Sequence, residues 1–143
     1  MPEILFYTLE RGGADARVDL ARRIARKAWQ QGHRVWLHAA DEDSAARLEQ
    51  QLWETPREDF LPHALAEDPE AEATAVLIGH GQPPASHADV LINLAPEVPA
   101  FCARFQRVAE PVSADDNDRR QARQRWRYYR EQGWPVQNHP LRG

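Results

Sequence analysis

The sequence holds little with which to do chemistry of its own. It has a single cysteine, Cys102, which excludes an internal disulfide and any site built from several thiolates. Cys102 falls on the apolar side of the 98–105 segment, so a buried, inert thiol is expected. No apolar run approaches the roughly 20 residues of a membrane span. No basic region precedes the apolar residues between Met1 and Tyr7, so no secretory leader is expected and the cytoplasm is the default compartment. The turn Arg11-Gly12-Gly13-Ala14-Asp15 lacks the three spaced glycines of a dinucleotide loop, and no Gly-Lys-Ser/Thr follows it. A tight turn accounts for it. No Gly-x-Ser-x-Gly elbow occurs. The histidines and acids of Gly79-His80-Gly81, His87-Ala88-Asp89, and His38 with Asp41 and Asp43 match no recurrent metal spacing. Neither a metal nor a cofactor is expected.

What is present is an ordinary globular composition. The 143 residues, 42% hydrophobic and 28% charged, fit one domain spanning 1–143. Apolar runs at 4–9, 34–39, 75–79 and 90–94 read as buried strands, with a last strand near 106–111. Between the first two, Leu20, Ala21, Ile24, Ala25 and Ala28 form a helical stripe closed by Gly32. Asp41-Glu42-Asp43 caps a second helix that turns Ala45, Leu48 and Leu52 inward. Strand–helix–strand–helix is the pattern of a parallel sheet with right-handed crossovers. The expected fold is therefore α/β, a mainly parallel sheet of about five strands flanked by helices, Rossmann-like and doubly wound. Residues 54–73 read as irregular, 98–105 as a short helix opened by Pro99, and 134–143 as an extended tail.

The net charge of −4 argues against bulk attraction to nucleic acid. Its distribution is uneven. Residues 41–72 are acid-rich, whereas residues 119–130 pack six arginines and three aromatics into one predicted helix, capped by Ser113 to Asp118 and stopped by Gly133. At helical spacing Arg119, Arg123, Arg127 and Arg130 share a face with Trp126 among them. Cationic forks beside a large ring suit a ligand that carries carboxylates or phosphates together with something flat or greasy. A solvated helix whose arginine stems merely cover the core is the plain alternative.

Several longer patterns run through the chain in order. They are Phe6-Tyr7-x-Leu9, Gly32-His33-Arg34-Val35, Asp41-Glu42-Asp43, and Leu52-Trp53-x-x-Pro56-x-x-x-Phe60-Leu61-Pro62-His63-x-Leu65. Val90-Leu91-Ile92-Asn93-Leu94 and Arg123-x-Arg125-Trp126-Arg127-x-Tyr129-Arg130-x-x-Gly133 complete the set. In these the chain resembles the chi subunit of bacterial DNA polymerase III, nearly from end to end.

The resemblance implies a non-catalytic adaptor of the clamp-loader assembly. Such an adaptor binds the acidic C-terminal tail of single-stranded DNA-binding protein, which ends in Asp-(Ile/Leu)-Pro-Phe, and is joined to the clamp loader through the psi subunit. Carried over residue by residue, the tail site would comprise Trp53, Phe60, Val112, Arg123, Trp126 and Arg127, with Arg119 at the rim. Trp126 stands where a tyrosine is familiar, so the aromatic wall is kept without a hydroxyl; Arg127 stands where a lysine is familiar, which keeps the charge. The psi surface is not placed by the sequence beyond being a separate apolar patch. Two rival readings are a direct single-stranded DNA-binding module, since arginines with aromatics neutralise phosphate and stack bases, and a nucleotide-dependent α/β enzyme.

Overall fold

A computed structural model describes residues 2–56 and 61–141. The elements follow the chain as β1 (Glu3–Leu9), α1 (Ala14–Gln30), β2 (Val35–His38), α2 (Glu42–Trp53), β3 (Ala64–Leu65), β4 (Val76–Gly79), β5 (Val90–Asn93), β6 (Arg107–Val112), α3 (Asp116–Glu131) and β7 (Val136–Leu141). Single 3-10 turns occupy Ala71–Ala73 and Cys102–Arg104. The strands form one seven-stranded sheet in the order β3-β4-β2-β5-β6-β1-β7, and each described pairing is parallel.

The near-continuous apolar character of β2, β4 and β5 is explained by this layering. Strands covered on both faces need apolar residues at every position rather than at alternate ones. Alternate side chains then feed two cores. Val35, Leu37, Val76, Ile78, Val90 and Ile92 pack under the alanine and leucine stripes of α1 and α2. Ile4, Phe6, Trp36, Leu77, Leu91, Val108 and Val112 pack on the other face with Ala122 and Tyr129 of α3. The doubly wound α/β class expected from sequence is the one observed.

Three local expectations need correction. The sheet has seven strands, not about five. Residues 54–73 contribute the short edge strand β3, and the tail supplies β7, which pairs with β1 from Ile4↔Val136 to Leu9↔Leu141. Prolines at 135 and 140 masked that strand. In this register Pro140 falls opposite Thr8 at the sheet edge, where an absent N–H costs the ladder nothing. The helix expected at 98–105 is reduced to one 3-10 turn, in which Cys102 N–H donates to the Pro99 carbonyl at 3.1 Å.

Both α2 and α3 begin at the acidic caps expected of them. Asp41 accepts from Ser44 N–H at 2.8 Å and Asp115 from Asp118 N–H at 3.2 Å. Gly133, at φ +78°, takes the left-handed conformation that ends α3 and turns the chain back toward β7.

Candidate functional site

The crossovers leave β1 and β6 in opposite directions, α1 to one face and α3 to the other. The carboxyl ends of these neighbouring strands are thus the crevice in which open α/β sheets present ligand sites. The two loops are tied together, Ala114 N–H donating to the Gly12 carbonyl at 2.9 Å. Arg17 clamps the same region from α1, donating to Pro111 O at 2.8 Å and Leu94 O at 3.3 Å, with Asp118 at 3.7 Å. Burial lowers the Arg17 pKa from its usual value, and Asp118 opposes that shift.

From this crevice a groove of about 490 Å³ runs between α3 and the β1–β7 edge. Phe6 and Val112 rise from the sheet, Ala122 and Trp126 descend from α3, and Asn138 and Pro140 close the β7 side. Arg119, Arg123 and the single acid Glu10 stand among the lining residues. The Phe6 and Trp126 ring centroids lie 5.1 Å apart at 58°, so the half-buried indole packs on Phe6 to wall the slot. Arg119 Nη2 donates to the Leu9 carbonyl at 3.2 Å, fixing that guanidinium over the end of β1. Arg123 and Arg127 are exposed and make no hydrogen bond or ion pair with a described residue. Chemically, the groove offers an apolar slot with cationic donors at its mouth.

Of the residues proposed from sequence, the structure brings Val112, Arg119, Arg123 and Trp126 together in this groove. Arg127 projects from the same helix but is not among the lining residues. Phe60 lies outside the described residues. Trp53 is a correction to the single ring-lined cleft. It ends α2, which packs over β3 and β4 on the opposite face of the sheet. There it is 59% exposed, with the His63 ring 5.2 Å away. Sequence spacing orders residues along the chain but does not say which face of a sheet a helix covers, so it does not separate Trp53 from the α3 residues.

A buried polar network beneath α3 was missed altogether. Glu110, fully buried on β6, accepts from Arg125 Nε at 2.9 Å, Tyr129 Oη at 2.6 Å and Asn93 Nδ2 at 3.0 Å. Burial and the Glu110 charge raise the Tyr129 pKa, so its hydroxyl stays a donor. A signal was available in the sequence. Glu110 alternates with Val108 and Val112 and therefore faces the core, where a carboxylate demands a cationic partner. Arg125 sits on the Ala122–Tyr129 stripe that could supply it. Cys102 is 1% exposed, and burial pushes its thiol up to about 11, which fits an inert residue. Among the described residues no group of histidine, cysteine and acidic side chains could hold a metal ion. No helix among them is long and apolar enough to cross a membrane.

Comparison with known sequences decides the family. The sequence model described as "DNA polymerase III chi subunit, HolC" matches residues 1–137. The chain belongs to the DNA polymerase III chi subunit family. Among curated chi subunits, that of Pseudomonas aeruginosa is 46% identical over 141 residues, covering 99% of this chain and 98% of its own. The chi subunit of Escherichia coli K12 is 33% identical over 141 residues, covering 95% and 96%. That of Haemophilus influenzae Rd is 30% identical over 132 residues, covering 92% of each chain.

Proposed function

We propose that this chi-family chain is a non-catalytic, cytoplasmic adaptor of the replicative polymerase, and that the α3 groove binds the acidic C-terminal tail of single-stranded DNA-binding protein. The observation that carries the reading is the pairing of an apolar slot walled by Phe6 and Trp126 with Arg119 and Arg123 at its mouth. A tail ending in Asp-(Ile/Leu)-Pro-Phe presents one ring, a terminal carboxylate and side-chain carboxylates. Burying the ring contributes roughly 1.5–3 kcal/mol. Arginine–carboxylate bonds add about 1–3 kcal/mol each where partly shielded, and near nothing where freely solvated. Ordering a disordered tail opposes these gains by several kcal/mol, which leaves a dissociation constant on the order of micromolar. Weak contacts suffice where many tails are displayed together on coated DNA.

Linkage to the clamp loader through psi needs a second, separate apolar surface. Trp53, exposed at the end of α2 on the opposite face, supports that assignment in place of a role in the tail site. The two partners would then bind without competing.

The test is a titration of the full chain with a tail peptide, with and without its terminal Phe. Loss of the Phe should remove most of the affinity, and equal binding by both peptides would sink the groove reading. One observation favours a second reading, direct contact with single-stranded DNA: Arg120, Arg123, Arg127 and Arg130 are all exposed along α3 beside the 39%-exposed Tyr128. Tight, salt-sensitive binding to an oligonucleotide alone would establish it.

A further inference from the structure

We propose that Glu110 is a positioning residue for the α3 groove: its buried carboxylate fixes the rotation and height of α3, and so decides where Arg119, Arg123 and Trp126 stand. The inference deepens the tail-binding reading and rests on it for its functional meaning.

Stability alone does not explain this network. Glu110 and Tyr129 are fully buried and Arg125 is 2% exposed. Buried ion pairs are commonly matched or surpassed in stability by apolar side chains of the same volume. Here one guanidinium nitrogen, Arg125 Nη2, is buried without a hydrogen-bond partner. Directionality is what the network provides and a greasy contact does not. Arg125 and Tyr129 lie one helical turn apart and converge on the same carboxylate, at 2.9 and 2.6 Å. Two donors on one acceptor define both the rotation of α3 about its axis and its height on the sheet. A third fixed point is Arg125 Nη1, which donates to the Pro96 carbonyl at 3.0 Å. Asn93 completes the anchor from below, binding Glu110 and the Glu97 carbonyl and accepting from Ala95 N–H.

The groove residues occupy the neighbouring stripe of α3: Arg119, Ala122, Arg123 and Trp126. Beneath them the contacts with β1 are the Phe6–Trp126 ring pair and one bond from the long, flexible Arg119 side chain to the Leu9 carbonyl, and neither fixes the rotation of the helix backbone as two convergent buried donors do. A slip of one residue would turn the helix by about 100° and carry Arg123 away from the groove mouth.

The test replaces the anchor by apolar groups in the full chain, combining Glu110→Met, Arg125→Met and Tyr129→Phe. Three quantities are measured: the urea midpoint, amide hydrogen exchange over 119–127, and affinity for the tail peptide. The expected result is a midpoint at or above that of the unaltered chain, faster exchange in α3, and affinity weakened about tenfold. A stable triple variant with unchanged exchange and affinity overturns the proposal. Should the triple variant not fold, Tyr129→Phe alone removes the 2.6 Å bond and keeps the ring. It should then raise α3 exchange and weaken the peptide by a smaller factor, and unchanged values would again overturn the idea. If the unaltered chain binds no peptide, the tail reading fails by itself, while the exchange data still decide whether Glu110 positions α3.

Discussion

Replacing Arg123 by alanine separates binding from folding cleanly. The side chain is exposed, touches no described acid, and lines only the groove mouth. Its removal should change stability by no more than about 0.5 kcal/mol, the usual range for surface substitutions. A unit charge about 4 Å from a carboxylate is worth about 1 kcal/mol in water and about 4 kcal/mol at the effective dielectric of a protein surface. Exposure places Arg123 toward the lower figure, so the tail peptide should weaken about five- to tenfold. Fluorescence anisotropy with a labelled peptide at low salt measures this directly. Repeating the titration near 1 M salt, where the screening length falls to about 3 Å, should shrink the difference to within error. Affinity that changes by less than about twofold at low salt would refute the electrostatic argument. A loss that survives high salt would show that Arg123 acts through shape rather than charge.

Trp53→Ala should leave tail-peptide affinity unchanged, because α2, which it ends, packs on the far face of the sheet, and should weaken binding of purified psi; a weaker tail with intact psi binding would reverse the assignment. Gly79→Ala should destabilise by about 1–3 kcal/mol in a urea melt, since a β-carbon there would lie 2.2 Å from the Trp36 ring, itself 1% exposed and unable to retreat. Acid should destabilise the fold through His38 and His87. Both are buried with lowered pKa values, His38 down to about 4, chiefly by desolvation. The unfolded chain takes up protons near pH 6.5 and the folded chain resists, so stability is full above that pH and falls below it. His38 accounts for about 1–3 kcal/mol of the loss between pH 6.5 and 4. His38→Gln, which keeps an acceptor for the Trp36 Nε1 donor now 3.2 Å away, should flatten the slope seen in urea midpoints between pH 7.5 and 5; an unchanged slope would remove His38 from the account.

Elements with strong periodicity were legible before any coordinates. The stripe from Leu20 to Ala28, the Asp41 cap and the apolar runs of β2, β4 and β5 each report a local requirement met within a few residues. The edge strands were not. β3 has two residues and β7 contains a proline, so neither carries a pattern of its own, and both exist because β4 and β1 offer free edges.

The candidate site divides in the same way. That α3 would be a capped helix carrying arginines and Trp126 follows from spacing alone, because a helix places residues three and four apart on one face whatever surrounds it. Which of those arginines meet a ligand is a tertiary matter. Arg125 and Arg123 are two residues apart, yet one is buried against Glu110 and the other stands at the groove mouth, because only the docked sheet distinguishes the inner face of α3 from the outer. Likewise Trp53 and Trp126 look equivalent as aromatic residues on neighbouring helices. Doubly wound topology put their helices on opposite faces of the sheet, a choice made by the direction of each crossover and invisible to any window of sequence.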